Sequence, residues 1–101
     1  VATGVATTAL GQAANATSNG AVAVGSLANA TNKAAAAFGR DSNASGESST
    51  ALGSGAKASA NYSFAASVNA NASGIQAIAI GRNALQLKML LLKVPIRTQL
   101  Q

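Results

Sequence analysis

The chain of 101 residues has no cysteine, no histidine and no tryptophan, and its only acidic side chains are Asp41 and Glu47. Each gap removes a class of chemistry. Without cysteine there is no disulfide framework and no thiolate, so redox chemistry fixes no compartment. Without histidine the usual general base and the commonest metal ligand are missing. Serine and threonine are abundant, yet one copy of the chain cannot assemble a Ser/His/Asp arrangement. Gly53-Ser54-Gly55 lacks the rest of a phosphate loop. The expectation is a protein that is not an enzyme and carries no cofactor and no metal.

Large side chains are also scarce: two Phe, one Tyr and one Met. Apolar residues make up 49% of the chain, but most of them are alanine, which buries little area per residue. The single domain this length allows therefore has a very thin interior, or copies associate to make a core. Net charge is +5, of which Lys88, Lys93 and Arg97 near the C-terminus contribute three. The remaining Lys33, Arg40, Lys57 and Arg82 are too sparse to track a phosphate backbone, and no aromatic file exists to stack bases. Nucleic acid is not an expected partner. The first residues show no basic n-region or cleavage pattern. The longest run of large apolar residues, Met89 to Leu92, is far short of the ~20 that span a bilayer, so no membrane contact is expected here.

What the chain does have is a period of 14. Gly11, Gly25, Gly39, Gly53 and Gly81 fall on it, and Ser67 fills the one gap. Two places before each stands an alanine: Ala9, Ala23, Ala37, Ala51, Ala65 and Ala79. Register held over six copies marks a solenoid. The triplets Thr8-Ala9-Leu10, Val22-Ala23-Val24, Ala36-Ala37-Phe38, Thr50-Ala51-Leu52, Phe64-Ala65-Ala66 and Ile78-Ala79-Ile80 alternate faces as strands do. One face holds only alanine; the other holds the larger residues. A second short strand follows, centred on Asn15, Asn29, Asn43, Lys57 and Asn71, with small residues on either side. Polar connectors complete the coil. The glycine column suits a positive φ or a close backbone approach. A helix is excluded, because it needs period 3.6 and the Gly and Asn files would break it.

This pattern predicts an all-β parallel β-roll of 14-residue coils over residues 1–84. Alanine on both inner walls implies a tube narrower than the usual ~10 Å between sheets. The larger column then points outward. An apolar stripe on an isolated rod is an exposed interface, so Val22, Val24, Phe38, Leu52, Ile78 and Ile80 are expected to be buried between copies. Volumes compensate within the stripe: Ala36 goes with Phe38, and Phe64 with Ala66. The outward file Asn15, Asn29, Asn43, Lys57 and Asn71 is the expected ligand face.

The strings Ala77-Ile78-Ala79-Ile80-Gly81-Arg82-Asn83-Ala84, Val22-Ala23-Val24-Gly25 and Thr50-Ala51-Leu52-Gly53 resemble the head repeats of trimeric autotransporter adhesins of Gram-negative bacteria, such as the Yersinia adhesin. That resemblance implies a left-handed roll and a homotrimer. It also implies a place on the bacterial cell surface, held in the outer membrane by a segment outside this chain. The implied partners, besides further copies, are host extracellular-matrix proteins or cell-surface receptors. A non-adhesive spacer, a phage tail-fibre solenoid and an ice-binding solenoid are the alternatives. Residues 85–101 fit neither the repeat nor the neck that usually follows such heads, and Pro95 interrupts any helix. They are expected to be an appended segment or a short helix packed on the last coil.

Five Asn-x-Ser/Thr triplets, at Asn15, Asn29, Asn43, Asn61 and Asn71, match the glycosylation sequon. Polar residues on an outer edge account for them without a glycan. The hydroxyl file Thr17, Thr31, Ser45, Ser59 and Ser73 is read as turn chemistry rather than as an ice-binding array.

Overall fold

The computed structural model describes residues 1–86. Within them the chain is all-β and has no helix. Six three-residue strands form one parallel sheet: β1 (Thr8–Leu10), β3 (Val22–Val24), β5 (Ala36–Phe38), β7 (Thr50–Leu52), β9 (Phe64–Ala66) and β11 (Ile78–Ile80). Six two-residue strands form the other: β2 (Asn15–Ala16), β4 (Asn29–Ala30), β6 (Asn43–Ala44), β8 (Lys57–Ala58), β10 (Asn71–Ala72) and β12 (Leu85–Gln86). Each strand pairs with residues 14 positions away, for example Ala37 with Ala51 and Asn29 with Asn43. The period in the sequence is therefore the rise of one coil, and the fold is a parallel β-solenoid.

The roll extends two residues beyond the expected boundary at 84. Leu85 and Gln86 pair with Asn71 and Ala72 as the last rung of the second sheet. The rest of the expected tail segment lies outside the described residues. At the other end, Ala2 bridges to Ala16 and the Val1 amino group donates to the Ala14 carbonyl, closing the first coil.

Alanine lines the inside. Ala23, Ala37, Ala51 and Ala65 of the first sheet are fully buried, as are Ala16, Ala30, Ala44, Ala58 and Ala72 of the second. Ala9, in the end coil, is only half-buried. Further interior columns flank the two turns. They hold alanine except at Thr7 in the end coil and where Ser42, Ser49 and Ser63 stand in. Each serine donates its hydroxyl hydrogen to the carbonyl three residues back, at 2.8, 2.7 and 2.7 Å. A hydroxyl satisfied within its own turn costs little in a dry interior.

Two β-turns close each coil. The first runs from the glycine column, as in Ser42 N–H to Gly39 O at 3.2 Å; the second runs from Ser18 to Ala21 and its equivalents, as in Ser49 N–H to Gly46 O at 3.2 Å. The third residue of each turn is left-handed. In the first turn these are Ala13, Leu27, Asp41, Gly55, Asn69 and Asn83; in the second they are Ala6, Gly20, Ala34, Ser48, Tyr62 and Gln76. Left-handed φ aims those N–H groups along the rod. Leu27 N–H reaches Gln12 O at 2.9 Å, and Tyr62 N–H reaches Glu47 O at 2.8 Å. The ladder thus continues around the corners, which leaves few backbone groups orphaned. The glycine column has a second reason. A Cβ on Gly39 would stand 2.7 Å from the Gly53 carbonyl of the next coil.

Candidate functional site

An interior of alanine leaves no cavity. Among the described residues the structure has no pocket and no cluster of three or more metal-ligating side chains. What it offers to other molecules is therefore its outside, and the two sheets present different surfaces.

The outer face of the first sheet is apolar. Alternation along each strand turns the residues on either side of the central alanine outward. They stack in two columns, Val22 over Ala36 and Thr50, and Val24 over Phe38 and Leu52. Val22, Val24 and Leu52 are half-buried, and Phe38, Ile78 and Ile80 are exposed. Ile80 keeps 67% of its surface open to solvent and Leu10 keeps 64%. The residues expected between copies thus form one continuous stripe that the single chain leaves uncovered.

The outer face of the second sheet is polar. Asn15, Asn29, Asn43, Lys57 and Asn71 stack in register, one per coil, at the ~4.8 Å of parallel pairing. The asparagines are half-buried and Lys57 is exposed. Leu85 ends the file with an exposed apolar side chain. The structure therefore places the expected ligand residues together on one flat face, opposite the apolar stripe. The hydroxyl file from Thr17 to Ser73 follows this strand at the start of the connector.

Sequence reasoning missed the corners. Asn19 Oδ1 accepts a hydrogen bond from Val5 N–H at 2.9 Å, and Asn61 Oδ1 accepts one from Glu47 N–H at 3.0 Å. Both asparagines tie a turn to the equivalent turn of the coil before. Their signal in the sequence is a shared place in the 14-residue frame, among the polar connectors. Asn61, one of the five sequon asparagines, is thereby engaged in the fold. Arg40 and Asp41 approach to 3.8 Å with both side chains mostly exposed, a solvated pair of little weight.

Comparison with curated proteins returns no match. Comparison with family models does: residues 2–28, 30–56, 44–66 and 68–84 match the YadA head domain repeat, so that most of the roll is covered. The glycine column, the alanine core and the 14-residue coil are accounted for together, and the chain belongs to the YadA head repeat family.

Proposed function

We propose that this chain is a head segment of a trimeric autotransporter adhesin. Three left-handed rolls pack side by side on their apolar faces and present their polar faces to a host surface. One observation carries the reading: an interior sealed with alanine lies beneath an outward stripe of Val, Leu, Ile and Phe with nothing over it. Covering such a stripe contributes up to roughly 1.5–3 kcal/mol for a large side chain that was fully exposed, and less for the half-buried Val22, Val24 and Leu52. The protein sits on the bacterial cell surface, anchored in the outer membrane by a segment outside this chain. Its ligands are extracellular-matrix proteins or cell-surface receptors.

The polar file repeats at strand spacing, so an extended polymer touches several rungs at once. Each contact is weak, and three chains supply avidity. The test uses beads coated with the protein and surfaces of collagen, fibronectin, laminin and cultured cells. Binding is expected, and it should fall when Asn29, Asn43, Lys57 and Asn71 are changed together to Glu while the assembly persists. Equal binding by parent and variant would remove this face from adhesion. Absence of binding to every surface would make the segment a spacer that holds another domain away from the cell.

A further inference from the structure

We infer that the copies lock together through the corner residues of their turns, coil against equal coil, with Arg40 of one copy facing Glu47 of the next. The inference rests on the reading that copies associate through the apolar stripe, and it adds which side chains meet at the rims of that stripe.

Each coil has two β-turns, one at either end of the first-sheet strand. The second residue of each turn is the corner. Arg40 is the corner of the first turn in its coil, and Glu47 is the corner of the second turn. Three strand residues and two turn ends separate the two corner columns in one chain, on the order of 15 Å. They cannot touch each other there. When copies are arranged in a ring with their stripes toward the axis, the strand ends of one copy adjoin the strand starts of the next. First-turn corners of one copy then meet second-turn corners of its neighbour.

Half a coil separates the two columns along the rod, about 2.4 Å on the parallel spacing. A first-turn corner can thus face the second-turn corner of its own coil number or that of the coil before. The chemistry distinguishes them. Equal coils bring Arg40 to Glu47, Ser54 to Asn61 and Val68 to Ile75. The offset register brings Arg40 to Lys33 and Val68 to Asn61. Only the first pairs opposite charges and sets apolar against apolar. Like charges placed together disfavour the second.

The single chain leaves these side chains available. Arg40 exposes 73% of its side chain, and its ion pair among the described residues is with the adjacent Asp41. Glu47 is half-buried, and its backbone N–H is fixed by Asn61 Oδ1. Val68 and Ile75 are 42% and 66% exposed, at the two corners of one coil and off the apolar stripe. Within one chain these two side chains are too far apart to shield each other; set against each other between copies, each covers the other.

Cysteine pairs test the register, because the chain has no cysteine of its own. The variant carrying Val68→Cys and Ile75→Cys should oxidise to a covalently closed multimer on a non-reducing denaturing gel. The variant carrying Val68→Cys and Asn61→Cys should stay largely monomeric on that gel. In neither variant can the two cysteines of one chain bond, since a disulfide needs Cα atoms within about 7 Å. Charge reversal supplies a second readout that adds no cross-link. Arg40→Glu or Glu47→Arg alone should weaken assembly about tenfold by sedimentation, and the two together should recover most of it. A parent that sediments as a monomer would fail the association reading itself. An assembled parent whose Val68/Asn61 cysteines cross-link in preference, whose cysteine pairs both stay unlinked, or whose double reversal does not recover, overturns the pairing of equal coils.

Discussion

The two sheets of the roll share one interior and differ in everything they show to water. Facing inward, both offer alanine, coil after coil. Facing outward, the first sheet carries Val, Leu, Ile, Phe, Thr and two Ala, and the second carries Asn, one Lys and, on its last rung, Leu85. The inner constraint is size: two walls this close admit a methyl group and little more. The outer constraint, in the proposed assembly, is partnership, because a three-residue strand and a two-residue strand need not differ in polarity to fold. Adjacent residues along one strand thus answer to different demands. Ala51 and Leu52 are neighbours in sequence and lie on opposite sides of a wall.

That contrast can be broken on its inner side first, where the effect is largest. Ala51→Phe puts a ring into a column that the other coils fill with alanine. The tube cannot widen at one coil without breaking the pairing of β7 with β5 and β9. Destabilisation of more than about 3 kcal/mol is expected, with loss of the strand signal in circular dichroism or a collapse of the melting temperature. A variant that melts like the parent would show that this column is not interior in solution.

Leu52→Asp attacks the outer side of the same strand. The carboxylate points away from the tube, so the alanine interior is untouched and the single chain loses only the outer stacking on Phe38 and Ala66. In the proposed trimer it would bring three unpaired charges near one axis, a large penalty once desolvated. Light scattering should give three chains for the parent and a smaller species or aggregate for the variant. A parent that is a soluble, well-folded monomer would refute assembly through this face, whatever the variant does.

Much of this was legible because the repeat does the averaging that a single strand cannot. One Ala-x-Gly is uninformative, but five in register, with Ala65-Ala66-Ser67 as a sixth copy, fix the coil length, the strand positions and the inward column together. The outward asparagine file followed from the same alternation. The corners were less legible. Left-handed φ at the third residue of a turn normally selects Gly or Asn. Here Gly20, Gly55, Asn69 and Asn83 obey that rule, but Leu27, Tyr62, Ala34 and Gln76 do not. Stacking supplies the reason. From the second coil on, each of these N–H groups donates to a carbonyl of the coil before, so the roll holds the conformation that the residue alone disfavours. The end of the roll was misplaced for a related reason: Leu85–Gln86 lacks the Asn-Ala signature and is a strand only because β10 offers it an edge.

The smallest expected effect sharpens the comparison between the glycine column and its one exception. Ser67 sits where the other coils have glycine at φ between 123° and 130°, and it takes φ 99°. Its turn-closing bond, from Ala70 N–H to Ser67 O, is 3.3 Å, against 3.0–3.2 Å in the other coils. The bond from Ser67 N–H to Leu52 O remains short at 2.7 Å, so the ladder has held while the turn has rotated. Glycine would relieve a positive φ that costs an L-residue on the order of 1 kcal/mol or more. It would also add freedom to the unfolded chain, which takes back roughly 0.4–1 kcal/mol. The net for Ser67→Gly is therefore a gain of under about 1 kcal/mol, read as a rise of a few degrees in melting temperature. Ser67→Val, branched at Cβ and placed in the same conformation, should lower it. If glycine lowers the melting temperature as well, the serine side chain contributes more than its backbone strain costs.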